Sequence, residues 1–243
     1  MQCTFNLFRK NKMASLLNIE TSTSVCSVAL THEGQVVFRR ENYDGPSHAS
    51  CLGGYVQEAL DAAQHYDLKL DAVAVSCGPG SYTGLRIGVS MAKGLCFGLG
   101  IPLIGINTLE IMACNVMFRE KYPENVLFCP MIDARRMEVY SAIYDLSLTP
   151  VKAISADIIE PGIYENYLTD RTVLFFGNGA DKCRSVLTDK NALFLDKNID
   201  PLASDMLALS EKAFREQDFK DVAYFEPFYL KEFVATKPKH KVL

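Results

Sequence analysis

The segment Ala72-Val-Ala-Val-Ser-Cys-Gly-Pro-Gly-Ser-Tyr-Thr-Gly-Leu-Arg86 decides the fold class of this chain. Its first half is an apolar run that predicts a buried strand, and the run stops at Gly78-Pro-Gly80. Glycine permits backbone angles that other residues resist, and proline fixes one angle between the two glycines. A segment with helical spacing follows, with Ser81 or Thr83 as its candidate N-cap. The segment therefore predicts strand, tight turn and helix, as in α/β proteins.

The turn is also a candidate anion site, because free backbone N–H groups at a helix start can hold a phosphate. The polar loop that begins at Glu20 follows another apolar run and could add hydrogen bonds. Many such turns bind nothing, so a purely structural turn is the alternative. A dinucleotide site is excluded, since Gly84 comes one position late for its third glycine. The predicted phosphate or nucleotide contacts are Glu20, Thr21, Ser22, Gly78, Gly80 and Ser81.

One pattern of strand, acidic residue, polar turn and strand occurs twice. Ile19-Glu20 aligns with Ile132-Asp133, and Ala29-Leu30 aligns with Ala142-Ile143 at the same offset. Each copy stands at the start of one half of the chain, which predicts an internal duplication. The stretch Tyr122-Pro-Glu-Asn125 is the predicted boundary.

The predicted organisation has three parts. Residues 1–13 are expected to be a disordered leader, and the alternative is that Met13 is the natural start. Residues 14–121 form an N-terminal lobe, and residues 122–243 form a smaller C-terminal lobe with a basic tail at 237–241. The predicted strands are 16–19, 25–30, 35–40, 73–77, 102–106, 126–132, 138–144 and 172–176, and the predicted helices are 46–66, 81–97, 108–118 and 201–215.

Composition narrows the class of protein. With 243 residues, 49% of them apolar, the chain can bury a core, and long disorder is excluded. The net charge of −4 gives no support to a strongly basic nucleic-acid surface. The eight cysteines form no C-x-x-C pair, so we expect reduced thiols in a cytoplasmic protein and no metal site. No window has the roughly 18 uninterrupted apolar residues of a membrane span.

Four stretches resemble the TsaB (YeaZ) family: Leu17-Asn-Ile-Glu-Thr-Ser-Thr-Ser-Val-Cys-Ser-Val-Ala-Leu30, the motif from Gly78 to Arg86, Ala92-Lys-Gly-Leu95 and Pro102-Leu-Ile-Gly-Ile106. The resemblance implies a two-lobed α/β fold of the actin-like ATPase superfamily (ASKHA, ribonuclease H-like) with duplicated lobes. It also implies a part in placing threonylcarbamoyl on the adenosine beside the anticodon of tRNA.

The resemblance also separates this chain from the catalytic TsaD (Kae1) proteins, which carry a metal-binding His-x-x-x-His after a Gly-Val-Asn strand end. Here the matching stretch is Gly105-Ile-Asn-Thr-Leu-Glu-Ile-Met112, with Thr108 and Met112 at the histidine positions. Neither residue replaces imidazole for a borderline transition metal. The resemblance therefore implies a non-catalytic subunit, without catalytic residues, metal or cofactor of its own.

The implied partners are a TsaD-type catalytic subunit, a TsaE-type P-loop ATPase subunit and, through the complex, tRNA. ATP and a metal are expected in the partner subunits, and a homodimer through the same face is an alternative assembly.

Two helix faces are the predicted partner-binding surface. In the second helix, small residues recur every four positions, so another helix could approach closely. Packing of the same stripe on the chain's own sheet is an equal alternative, because periodicity does not name the packing partner. Gly88→Leu separates the two, since a folded variant without partner binding indicates an interface and lost folding indicates internal packing. The predicted surface consists of Leu52, Tyr55, Val56, Gly84, Gly88 and Ala92.

Two other functions stay open. Glu20 and Asp133 stand where active actin-like ATPases keep acidic residues, so an independent ATP-dependent phosphotransferase or a glycoprotease-type peptidase is one alternative. Against it, Ser81 lies in no Gly-x-Ser-x-Gly motif, and Asp133 is followed by Ala134-Arg-Arg136 in place of a glycine-rich loop. The other alternative is a regulatory module that senses nucleotide without turnover.

Overall fold

The computed structural model describes residues 14–45 and 47–231. The first half of the chain builds a five-stranded sheet in the order β3-β2-β1-β4-β5. Strand β1 pairs antiparallel with β2 and parallel with β4. The elements of this half are β1 (Ser15–Glu20), β2 (Cys26–His32), β3 (Gln35–Asn42), α1 (His48–His65), β4 (Ala72–Gly78), α2 (Tyr82–Leu99), β5 (Leu103–Asn107) and α3 (Thr108–Met117).

The second sheet repeats this topology, with the order β8-β7-β6-β9-β10 when it is read from the matching edge. Strand β6 pairs antiparallel with β7 and parallel with β9, as β1 does with β2 and β4. The predicted duplication is therefore confirmed, and Glu20 and Asp133 end the two equivalent strands. The elements of this half are β6 (Val126–Asp133), β7 (Glu138–Tyr144), β8 (Pro150–Ile158), α4 (Glu165–Leu168), β9 (Thr172–Phe176), β10 (Ala192–Phe194) and α5 (Leu207–Glu216).

Helices cover both faces of the first sheet. Alternation of side chains along β1 sends Leu17 and Ile19 to the face that α1 and α2 cover. Leu16 points to the other face, where it packs with Ile111 of α3 and Ala213 of α5. The helices α1 and α2 therefore lie side by side on one surface of the lobe.

The end of the described chain returns to the first lobe. Helix α5 packs on β1 and β5, and the Lys220 N–H donates to the Leu103 carbonyl over 2.8 Å. We call residues 218–231 the C-terminal strap. The predicted C-terminal lobe, residues 122–243, thus includes a segment that buries its apolar side against the first sheet. The predicted leader and basic tail lie outside the described residues.

The predicted strands and three of the four predicted helices are confirmed to within a few residues. The fourth helix begins later than predicted, because Ala203–Met206 form a 3-10 turn before α5. Strands β8 and β10 and the short α4 were missed. Helix α3 is capped by Asn107, whose Oδ1 accepts from the Leu109 N–H at 2.9 Å.

Within the described ranges, no helix combines the length and the apolar content needed to cross a bilayer. The seven described cysteines carry free thiols.

Candidate functional site

The carboxyl end of β1 holds Glu20 inside the protein. Its side chain is completely buried. Its Oε1 accepts a short hydrogen bond from the Ser22 N–H, whereas its Oε2 has no hydrogen-bond partner among the described residues. The neighbouring Thr21 N–H lies 3.5 Å from the Ser76 Oγ. The first acidic position therefore faces the protein interior.

The loop after β1 lies directly on the start of α2. The Ser81 N–H donates to the Ser22 carbonyl over 2.6 Å, and the Ser81 Oγ caps the helix by accepting from the Gly84 N–H at 3.3 Å. The Thr21 Oγ1 donates to the Gly84 carbonyl over 2.8 Å. A Cβ at Gly80 would lie 2.3 Å from the Ser22 carbonyl oxygen, so this approach requires glycine.

The C-terminal strap covers the other side of the turn. The Phe228 N–H donates to the Cys77 carbonyl over 2.7 Å, and a Cβ at Gly78 would lie 2.6 Å from the Phe228 carbonyl oxygen. On the neighbouring strand β5, the absence of a side chain at Gly105 leaves space for the ring of Phe225. The strap was not predicted from the sequence, although its five aromatic residues could have indicated a segment that packs on a sheet.

The six predicted phosphate contacts do come together, but they contact one another. The Ser81 N–H, one of the groups that could hold an anion at this helix start, donates to the Ser22 carbonyl. The phosphate or nucleotide contact at Glu20, Thr21, Ser22, Gly78, Gly80 and Ser81 stays a prediction.

Burial decides the charge of the acids near this turn. Desolvation raises the pKa of Glu20 to about 7, and it outweighs the hydrogen bonds from Ser22, which lower it. Burial likewise raises the pKa of Asp205 to about 6, although the Asn115 Nδ2 donates to its carboxylate over 2.5 Å. Repulsion between Glu20 and Asp205 acts in the same direction. Carboxyl groups with raised pKa values stay protonated up to a higher pH, and a protonated carboxyl group is a poor ligand for a cation.

Replacing Glu20 with glutamine is expected to stabilise the protein at about pH 8 and to change little at about pH 4. The folded-state pKa of about 7 lies above the ordinary value of 4.5, so the folded protein binds the extra proton between these values. The free energy of unfolding of the parent chain, which carries Glu20, therefore falls as the pH rises through this window, by about 3 kcal/mol at most. Urea denaturation of both proteins across this pH range measures the effect, and a pH-independent difference would contradict it.

The second lobe neutralises the equivalent acid, Asp133, in another way. Lys182 forms an ion pair with the Asp133 carboxylate, and its Nζ also donates to the Glu138 carbonyl over 2.7 Å. The Asp133 N–H donates to the Asn178 Oδ1 over 2.8 Å. The carboxylate is half-exposed, but a lysine already takes the place where a cation would bind.

The two positions that correspond to the metal-binding histidines face the interior. Thr108 and Met112 are both buried. The Met112 side chain packs against Gly177, where an added Cβ would lie 2.4 Å from the Met112 Cε. Within the described ranges, no group of three histidine, cysteine, aspartate or glutamate side chains is placed to hold a metal ion.

The predicted partner-binding faces of α1 and α2 point inward, which corrects that prediction. A Cβ at Gly84 would lie 2.1 Å from the Thr21 carbonyl oxygen, and one at Gly88 would lie 2.2 Å from the Thr21 Oγ1. Ala92 is completely buried. Leu52 and Val56 are also buried in the core, and Tyr55 is half-buried against it.

The outward face of the same helices forms an open groove of about 950 Å³. A second run of small residues at spacing four, Ser90, Gly94 and Gly98, is exposed on this side of α2, and no atom lies within 4 Å of a Cβ on either glycine. This second run was the signal that the sequence analysis missed. The groove is lined by Ala49, Tyr82, Thr83, Arg86, Ile87, Ser90, Met91, Gly94 and Leu95.

Comparison with known proteins gives three consistent matches. A family model described as TsaD, tRNA N6-adenosine threonylcarbamoyltransferase, matches residues 45–239. The tRNA threonylcarbamoyladenosine biosynthesis protein TsaB of Escherichia coli is 31% identical over 227 residues, which are 91% of this chain and 96% of the relative. The TsaB protein of Haemophilus influenzae is also 31% identical, over 92% of this chain and 96% of its own.

Solved structures agree with these matches. The structure of YeaZ from Pseudomonas aeruginosa superimposes with a TM-score of 0.74 at 28% sequence identity. The similarity covers 90% of this chain and 100% of that one.

Proposed function

This chain belongs to the TsaB (YeaZ) family of tRNA threonylcarbamoyladenosine biosynthesis proteins, and on that premise we propose that it is a non-catalytic scaffold and activator subunit. The complex it serves would transfer threonylcarbamoyl to the adenosine next to the anticodon of tRNA. Its own fold is that of the two-lobed actin-like ATPases.

The observation that carries the proposal is the closed turn at the end of the first sheet. An actin-like ATPase needs an ionised acid and free N–H groups for magnesium and phosphate. Here Glu20 is buried with a raised pKa, and the Ser81 N–H is bonded to the chain's own loop. The opposite acid, Asp133, is paired with Lys182. These residues suit a structural role better than phosphoryl chemistry.

The α1–α2 groove is the proposed binding surface for a TsaD-type catalytic subunit. The groove is rich in apolar side chains, and Ser90 and Gly94 leave space for a helix of the partner. A second copy of the chain could occupy the same groove in a homodimer.

The remaining roles belong to the partners in this proposal. The catalytic subunit would supply the metal, and a TsaE-type P-loop subunit would supply ATP hydrolysis. This chain would meet tRNA indirectly, through the complex, and would stay in the cytoplasm, where tRNA is modified.

Light-scattering chromatography of the chain with the TsaD-type protein of the same organism tests the proposal. The expected result is a stable mixed complex, and threonylcarbamoylation of a tRNA transcript should require this chain.

Intrinsic ATP hydrolysis that is lost in Glu20→Ala or Asp133→Ala would overturn the proposal in favour of a phosphotransferase. Proteolysis by the isolated chain would indicate a peptidase. A thermal shift with nucleotide, without hydrolysis or complex formation, would indicate a nucleotide-sensing module.

A further inference from the structure

The turn between β6 and β7 holds two successive arginines in a rarely adopted backbone conformation. Arg135 and Arg136 have φ angles of 69° and 48°, in the left-handed region that glycine and asparagine adopt most readily. The Ala134 N–H donates to the Glu138 carbonyl over 3.0 Å and closes the turn. Two such residues cost stability, and a turn shaped for stability alone would carry asparagine or glycine.

Both arginine side chains are exposed and have no ion-pair partner in the part of the chain that the structure describes. The two nearby acids form ion pairs with lysines and not with these arginines, since Lys182 pairs with Asp133 and Lys231 pairs with Glu138. The Lys182 Nζ also donates to the carbonyl of the second arginine over 2.7 Å, which fixes the turn. The turn therefore presents two excess positive charges on a rigid base.

Basic and aromatic side chains continue from this turn towards the first lobe. The Lys231 Nζ lies 6.0 Å from the ring centre of Tyr140. Two residues earlier in the strap, Tyr229 packs against Tyr82, which lines the α1–α2 groove, with ring centres 4.6 Å apart. Lys231, Tyr140 and Tyr229, together with Arg135 and Arg136, form what we call the basic–aromatic row.

We infer that the basic–aromatic row is a contact surface for the phosphodiester backbone of a structured RNA, with Arg135 and Arg136 binding phosphate. The inference rests on the proposed function, which supplies tRNA as the substrate. Guanidinium groups bind phosphate oxygens through paired hydrogen bonds, and interleaved aromatic rings accept bases. An acidic protein surface would match the charge but gives no reason for the tyrosines.

The net charge of −4 limits this contact to a few phosphates. The affinity of the chain alone is therefore low and depends strongly on salt. The other subunits of the complex share the task of holding the RNA.

The test variant combines Arg135→Asn with Arg136→Gly, which removes both guanidinium groups and relieves the backbone conformation. Binding of an unmodified, fluorescently labelled tRNA transcript to the full chain is followed by anisotropy at increasing salt. We expect about tenfold weaker binding, and a slope of log affinity against log salt that is smaller by about 1.5. The midpoint of thermal unfolding is expected to stay equal or to rise, because asparagine and glycine suit the turn.

The control variant combines Lys69→Ala with Lys190→Ala and loses the same charge. Both lysines are exposed and precede β4 and β10, at the opposite ends of the sheets from the row. Its RNA affinity is expected to equal that of the parent chain. An equal loss in both double variants would overturn the inference, and so would a parent chain that does not bind the transcript at about 100 μM, the weak limit of non-specific binding.

Complex formation with the TsaD-type subunit is measured on the same variants. An intact complex together with unchanged RNA binding in the arginine variant would overturn this inference alone and leave the proposed function standing. Loss of the complex only in the arginine variant, with RNA binding unchanged, would show that the turn contacts protein.

Discussion

Replacing Gly88 with leucine is expected to destabilise the isolated chain by about 3 kcal/mol or more. A Cβ at this position would lie 2.2 Å from the Thr21 Oγ1, which is far inside van der Waals contact. The hydroxyl cannot rotate away freely, because it donates to the Gly84 carbonyl over 2.8 Å in a buried site. The loop after β1 would have to move, and its bond to the Ser81 N–H would be lost.

Urea denaturation of the purified variant measures this effect, with Gly98→Leu as the matched control. Gly98 lies in the same helix, is exposed, and has no atom within 4 Å of the place of a Cβ. The control is expected to be as stable as the parent or about 0.5–1 kcal/mol more stable, because glycine is a poor helix former. If both leucine variants were equally stable, the internal packing of the stripe would be refuted.

Replacing Gly94 with arginine is expected to weaken assembly with the TsaD-type subunit about 100-fold, or by about 3 kcal/mol, without loss of stability. Gly94 lies in the α1–α2 groove, where a new side chain meets no atom of its own chain. In a complex the arginine would enter an apolar interface, where an unpaired charge and a large side chain both oppose binding. A homodimer through the same groove would be lost as well.

Light-scattering chromatography compares this variant with Ala208→Arg, which adds the same side chain to an exposed position of α5. Helix α5 covers the opposite face of the first sheet, so the control is expected to assemble normally. Normal assembly of Gly94→Arg would place the partner elsewhere on the molecule. Loss of assembly in both variants would indicate a general effect of added charge.

The strands, the glycine turn and the duplication were predictable because their signals are local. Apolar runs that end in acidic residues mark β1 and β6, and the topology confirms that the two strands are equivalent. Strand β8 escaped prediction because its sequence, Pro150-Val-Lys-Ala-Ile-Ser-Ala-Asp-Ile158, places a lysine and an aspartate among apolar residues. In the folded lobe Lys152 pairs with Asp157 at 2.8 Å, and Tyr164 and Ser141 donate to the same carboxylate.

The sequence predicted which residues meet at the candidate site, but it did not predict whether their N–H groups face a ligand or the chain itself. Sequence reasoning placed Glu20, Ser22, Gly80 and Ser81 in one region, and they do meet there. Whether the N–H groups of the turn face a ligand or a carbonyl depends on the path of the loop after β1. Local propensity does not fix that path, because packing against α2 decides it.

The sequence by itself determined the family, the fold class, the duplicated lobes and the spacing of small residues on α2. Only the tertiary structure decided that the Gly84–Gly88–Ala92 stripe faces Thr21 and the core, while the Ser90–Gly94–Gly98 stripe faces outward. The physical reason is that helical periodicity fixes which side chains share a face but does not say what covers that face. Contacts between residues distant in sequence make that choice, and here they turned the predicted interface into core and left the groove beside it open.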